Sequence, residues 1–209
     1  MQGFRNTEAI KTAWEIFKKK PWVLAGGLLL TTVISWLLGA FGEQMRGDPT
    51  ASLFFTLVSF VVNLFIGMGM TAFFIKAHDS IESVSINDLW HPADFWKYLG
   101  AAVLYGLMAA VGFVLLIIPG VIVVLTFQFA QYFVIDKGLG PIEALKESAR
   151  ITKGHKWELL GLFAFILGIN ILGFLALVVG LLVSVPVTAL SIVYAYRTLE
   201  KLAASAASA

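Results

Sequence analysis

The chain has 209 residues, 59% of them hydrophobic and 13% charged, with a formal net charge of +2 and a mean hydropathy of +0.87. Soluble domains carry about 25% charged residues, so this composition excludes a water-solvated domain of useful size. The lack of any cysteine excludes structural disulfides, thiol nucleophiles, iron–sulfur clusters and thiolate zinc sites.

The first twenty residues carry five basic side chains and no apolar run, which is not a cleavable signal peptide; the first span is expected to act as an uncleaved anchor. Residues 6–19 place Ile10, Ala13, Trp14 and Phe17 at i, i+3, i+4 and i+7, an apolar stripe on an amphipathic helix. Asn6 or Thr7 is suited to cap it. Uncharged stretches then predict spans over about 22–41 and 51–75. Residues 83–98 carry Leu89, Trp90, Phe95 and Trp96, with Pro92 breaking the run. From Leu99 to Ile135 no residue is charged, which is too long for one span of about 20 residues. Spans over 99–118 and 120–136 are predicted, with Pro119–Gly120 as the turn. Residues 141–153 read as a second amphipathic helix, opened by Pro141 and stopped by Gly154, with Ile142, Leu145 and Ala149 on one face. A last uncharged run, Leu159–Tyr196, gives spans over 158–179 and 180–197 that turn near Val179–Gly180. The ending 203–209 reads as a disordered tail.

Six spans put fourteen of the fifteen Lys and Arg on one side and leave Arg46 alone on the other. The positive-inside rule then sets both termini in the cytoplasm. The fold class is an all-α integral membrane protein: six transmembrane helices as three hairpins, N-in and C-in, with amphipathic cytoplasmic interfacial helices, in a prokaryotic cytoplasmic membrane. An amphipathic stretch, a basic residue and an aromatic precede each hairpin, at KKKPWVLAGG, FWKYLGAA and GHKWELLG. Trp14, Trp22, Trp96, Tyr98 and Trp157 are the candidate interface anchors.

Apart from Asp136, Glu158 and Arg197 at their very ends, the spans contain no Asp, Glu, Lys, Arg or His, which argues against proton-coupled pumps, voltage sensors and intramembrane proteases. No catalytic residue, metal site or cofactor is expected. His78, Asp79, Glu82, Asp88 and His91 match no metal-ligand spacing. Asn63, Gln128, Gln131 and Asn170 are candidates for a polar interior, or else for interhelical hydrogen bonding. Gly106-x3-Ala110 and Ala164-x3-Gly168 read as close-packing or dimerisation motifs. Pro119, Gly120 and Pro186 mark helix breaks, Pro186 as a kink or a gate. Lys18, Lys19, Lys20, Lys146, Arg150, Lys153 and Lys156 are candidate lipid-headgroup contacts, since each basic residue near an anionic leaflet is worth about 1 kcal/mol. Interspersed carboxylates argue against nucleic acid as a partner. Membrane lipids, anionic ones among them, a membrane-protein partner or a second copy of the chain are the expected partners.

Pro119–Gly120, Asp136, Gly140, Pro141, Ala144, Leu145, Ser148, Thr152, Gly154 and Trp157 form a pattern over about 40 residues. It resembles the membrane domain attached to some glycerophosphodiester phosphodiesterases, and related stand-alone six-span families. Those proteins often carry a proline in the fourth span where this chain has Ala130–Gln131, and the phosphodiesterase barrel itself is absent. The resemblance implies a fold and a membrane setting without hydrolysis. The sequence therefore reads as a non-enzymatic membrane module that binds lipid or a protein partner; the alternative is a transporter or channel for a neutral or lipidic substrate.

Overall fold

A computed structural model describes residues 5–91, 94–176 and 179–207, and every regular element among them is helical. Pro92 and the last two residues lie outside the described residues. Six stretches are long and apolar enough to cross a membrane: Pro21–Gln44, Pro49–Asp79, Phe95–Leu115, Ile117–Lys137, Lys156–Leu175 and Leu181–Ala206.

Helix α1 (Asn6–Lys19) buries Ala9, Ala13 and Phe17 and packs mainly on the last helix, α9 (Leu181–Ala207). The cap expected from Asn6 or Thr7 does not form. Both residues are already helical, and Arg5 precedes them without a side-chain cap. The Asn6 amide instead faces α8 (Lys156–Leu175), where a Cβ on Gly161 would lie 2.6 Å from its nitrogen.

Helix α2 (Pro21–Gln44) is followed by α3 (Pro49–Asp79), which is capped by Asp48 accepting from the Thr50 and Ala51 amides at 2.9 and 3.2 Å. Two short 3₁₀ turns, Ile81–Ser83 and Ile86–Leu89, then lie back against α3. Gly69 is needed there, because a Cβ on it would overlap the Leu89 carbonyl.

Helices α4 (Phe95–Leu115) and α5 (Ile117–Phe127) are separated at Leu116, whose backbone is extended. The turn expected at Pro119–Gly120 thus sits three residues earlier, and Pro119 occupies the first turn of α5. Amides there have no helical partner to lose, so proline fits. The glycines serve close approach instead: a Cβ on Gly112 would stand 2.9 Å from the Gly120 Cα.

The fourth apolar stretch is not one helix as expected. It breaks at Gln128–Phe129 and resumes as α6 (Ala130–Lys137). Helix α7 (Pro141–Thr152) follows, and its buried face is Ala144, Leu145, Ser148, Ile151 and Thr152. Of the predicted stripe Leu145 is buried, Ala149 is half-buried and Ile142 is exposed. Gly154 after it has φ +88°, a left-handed conformation that glycine adopts freely.

Helix α9 runs through Pro186 to Ala207, with Pro186 inside the element; residues 203–207 are helical where a disordered tail was expected. Alanine is the best helix former, and Leu202 and Ala203 pack against the core.

The spacing motifs do not pack helices within the chain. Gly106, Ala110, Ala164 and Gly168 are exposed, and a Cβ on Gly106 or Gly168 would meet nothing within 4 Å. Close contact occurs instead at Gly27 against Phe73 and at Gly173 against Ser184. Spacing alone does not say which side of a helix meets a neighbour.

The core is lopsided. Buried residues come chiefly from α1, the second half of α3, α6, α7 and α9 from Ser184 to Leu199, with a few from the start of α2, α4 and α8 and the end of α5. The opposite halves of α2 to α5 and α8 turn large apolar side chains outward, including the run Val114–Ile118, each of which is 67–87% exposed. That surface is compatible with hydrocarbon and would be costly in water. All six tryptophans are exposed.

Candidate functional site

The charged end is organised around Arg197. Its guanidinium donates to both oxygens of Asp136 at 2.6 and 2.7 Å, to both oxygens of Asp79, and to Glu200 at 3.2 Å. The Tyr196 hydroxyl donates to Asp136 at 2.9 Å, Lys137 reaches Glu200 at 2.8 Å, and the His78 ring lies 2.9 Å from Asp79. The guanidinium also lies 5.2 Å from the Tyr196 ring centre, whose other neighbours are Phe129, Tyr132 and Phe133. Two bidentate pairs from one arginine fix geometry strongly. They join the ends of α3, α6 and α9, with the Arg197 and Asp136 side chains only 15% and 13% exposed. Each carboxylate in the network accepts from a donor.

A second polar device sits at the break between α5 and α6. Such a break orphans backbone groups, and α7 supplies the partners. The Ser148 hydroxyl donates to the Thr126 carbonyl at 2.8 Å and accepts from the Phe129 amide at 3.2 Å, while Thr152 donates to the same carbonyl at 3.2 Å. Ser148 and Thr152 are fully buried.

A third feature holds the second 3₁₀ turn. Asp88 accepts from Lys76 at 2.7 Å and from the Ser85 amide at 2.8 Å. Burial pushes the Asp88 carboxyl up, but the Lys76 ammonium and the Ser85 donors outweigh it and hold the group below the usual carboxylate range.

The predicted site residues fall into separate places. Lys146, Arg150 and Lys153 share the exposed side of α7 and line two clefts, of about 580 and 360 Å³, against α6 and α9. Arg150 pairs with Glu147 at 2.7 Å and donates to the Ala203 carbonyl at 3.4 Å. Lys156 is half-buried at the start of α8. Lys18, Lys19 and Lys20 lie at the α1–α2 junction instead; Lys18 pairs with Glu15, and Lys20 donates to the Glu82 carbonyl at 2.5 Å.

Trp22, Trp96 and Trp157 are 88%, 78% and 84% exposed, and Trp14 is partly so. Tyr98 is a correction: it is buried, with its hydroxyl 3.3 Å from the Gln131 side-chain oxygen. The neighbouring Trp96 takes the outward position, while α3 and α6 cover Tyr98.

The polar candidates do not converge. Asn170 accepts from Ser184 at 2.9 Å and donates to Thr188, joining α8 to α9. Gln128 donates to the Leu125 carbonyl of its own helix. Asn63 is exposed rather than interior, accepts from Ser35 across to α2, and lines a cleft of about 330 Å³ with Ser52, Thr56 and Ser59.

Arg197, Asp79 and Asp136 were not singled out by the sequence as a site. The signal was present: the second apolar stretch of each pair ends in charge, at Asp79, at Asp136–Lys137 and at Arg197–Glu200. Ser148 and Thr152 carried another, as hydroxyls at i and i+4 on a buried helical face.

Residues 102–203, just under half of the chain, match a family described as "Protein of unknown function (DUF975)". The stretch contains Asp136, Ser148, Thr152 and Arg197. An uncharacterised protein of Mycobacterium bovis is 30% identical over 120 residues, covering 57% of this chain and 37% of its own length. Uncharacterised proteins of two Mycobacterium tuberculosis strains, CDC 1551 / Oshkosh and H37Rv, match with the same identity and coverage. The chain thus spans little more than a third of the length of these relatives. No solved structure matches. The likenesses support a prokaryotic protein and bring no activity with them.

Proposed function

We propose that this chain is a non-enzymatic, multi-pass module of the prokaryotic cytoplasmic membrane that holds membrane lipid at its cytoplasmic end. Its six spans form three hairpins with both termini inside. One observation carries the reading: the segments that the positive-inside rule assigns to the cytoplasm are bonded to one another at a single end. Lys20 reaches the Glu82 carbonyl, Lys97 the Gly138 carbonyl, Arg150 the Ala203 carbonyl, and Arg197 both Asp79 and Asp136. Arg46 sits apart and pairs with its neighbour Glu43 at 2.8 Å.

The exposed basic side of α7 suits anionic headgroups, and the outward tryptophans at the starts of α2, α4 and α8 suit the interface. Interfacial placement of α1 and α7 is part of this reading, with their apolar faces spent on the protein core rather than on lipid. The resemblance to phosphodiesterase-associated membrane domains fits the same setting, because Ala144, Leu145, Ser148 and Thr152 of its pattern form the buried face of α7.

The lack of cysteine makes the test direct. Single substitutions Gly47→Cys and Lys153→Cys, labelled in intact cells with an impermeant maleimide, should react at Gly47→Cys alone. Labelling at Lys153→Cys overturns the orientation. Native mass spectrometry should show retained anionic phospholipid that falls in Lys146→Gln/Lys153→Gln. No anionic preference, with a protein recovered in pull-downs instead, turns the reading from lipid to a protein partner.

A transporter of a neutral or lipidic substrate is the second reading, favoured by the Asn63 cleft between α2 and α3. Uptake into proteoliposomes that Asn63→Leu abolishes would establish it.

A further inference from the structure

Two cavities adjoin one another beside α3. The first, about 350 Å³, is a groove between α2, α3 and the second 3₁₀ turn, walled by Leu30, Ile34, Val62, Phe65 and Ile66. The second, about 270 Å³, is a chamber between α3, the same turn and α6, where Lys76, Asp88 and Asp136 line the wall. Asn87, Trp90 and His91 line both, so one amide, one indole and one imidazole form the wall shared by the apolar groove and the polar chamber. Each volume is near the lower end of the roughly 300–1,000 Å³ usual for small-molecule sites, and together they fall within it.

The walls are held in place. The Trp90 ring stacks on Phe65 at 6.0 Å, and Phe65 stacks on Phe95 at 4.6 Å. Asp88 bonds Lys76, and Gly69 lets the Leu89 backbone lie directly on α3. Ile34 is thirteen residues into α2, about 20 Å along its axis, so the groove extends deep into the length of a span.

We infer that the joined cavities form a site for a zwitterionic phospholipid, with its headgroup in the chamber and one acyl chain in the groove. The inference rests on the membrane reading above and concerns a surface distinct from the basic side of α7. The change of lining from apolar to charged across that shared wall matches an amphiphile.

Charge selects the headgroup. Around the chamber and the network behind it, four carboxylates (Asp79, Asp88, Asp136 and Glu200) meet three fixed cations (Lys76, Lys137 and Arg197), and all are paired. A purely anionic headgroup would add negative charge where carboxylates already outnumber cations. An ammonium beside a phosphate suits both signs: the ammonium faces Asp88 and Asp136, while the phosphate takes the Lys76 ammonium and the Asn87 amide.

The test is native mass spectrometry of the full chain released from nanodiscs of equal phosphatidylethanolamine and phosphatidylglycerol. Wild type should retain one phosphatidylethanolamine per chain. Ile66→Trp, which fills the groove, should lower that retention at least tenfold. Ile34→Trp, at a more exposed wall, gives the same reading if Ile66→Trp does not fold. Lys146→Gln/Lys153→Gln should leave it unchanged. Retention that survives both filled grooves, or phosphatidylglycerol lost in its place from them, overturns the site. If anionic lipid still binds through α7 while phosphatidylethanolamine retention is absent, this site alone is overturned; the reverse result overturns only the α7 reading.

Discussion

The two ends of the molecule share long helices but hold together differently. At the charged end, α3, α6, α7 and α9 meet through side chains that satisfy specific partners: Arg197 on two aspartates, and Ser148 and Thr152 on an interrupted backbone. At the other end, α2 and α3 or α4 and α5 run beside one another with leucine, valine and phenylalanine turned outward. Helices α2 and α3 belong to both ends, so the contrast lies in what surrounds each half and not in the helices themselves. Polar partners fix geometry at one end, while the other is left to the surrounding phase.

Arg197→Met should break the contrast most severely. It strands Asp79 and Asp136, and breaking a buried ion pair costs about 3–5 kcal/mol. Asp79 is 39% exposed, which places the loss near about 3 kcal/mol. Thermal unfolding in detergent measures it, and a drop no larger than that of an exposed pair would remove the network from the fold's foundations. Ser148→Ala comes next: losing the hydroxyl leaves the Thr126 carbonyl with one weaker donor and the Phe129 amide with none, at about 2 kcal/mol.

Acidification gives a smaller effect with a definite sign. Asp88 is lowered in the folded state, so its contribution is fully present above the ordinary carboxylate value of about 4. It fades as the pH falls through that value to the lowered one. Lys76 is substantially exposed, which limits the effect to about 0.5 kcal/mol. Melting curves from pH 6 to pH 3 should show wild type losing this increment and Asp88→Asn losing none. Least of all, Gly106→Ala at the apolar end should move stability within about ±0.5 kcal/mol, since nothing lies within 4 Å of the added methyl. A large loss would mean that this half is packed against something after all.

Much of the architecture was readable because hydrocarbon imposes a simple rule: charge is kept out of spans of fixed length. Six apolar stretches follow from that rule alone. What was not readable depends on helix rotation. The Gly106 and Ala164 motifs have close-packing spacing but face outward, whereas Gly69 carries no motif and lies under a carbonyl. Tyr98 and Trp96 are two residues apart and point in opposite directions, and the sequence offers no rule for choosing between them. The break at Gln128–Phe129 follows no proline or glycine. It exists because α7, which begins 13 residues after Gln128, offers two hydroxyls. The Arg197 network joins residues 61 and 118 positions apart, a distance over which charge patterning gives no pairing.

That interrupted fourth stretch bears on how the protein is made. The Thr126 carbonyl and the Phe129 amide face hydrocarbon or the ribosomal exit path without partners until Ser148 and Thr152 have been synthesised, so this segment reaches its final form only after the chain has grown some 20 residues past it. Nascent chains arrested at Gly140 should therefore leave the Phe129 amide open to hydrogen exchange, and chains arrested well beyond Gly154 should protect it.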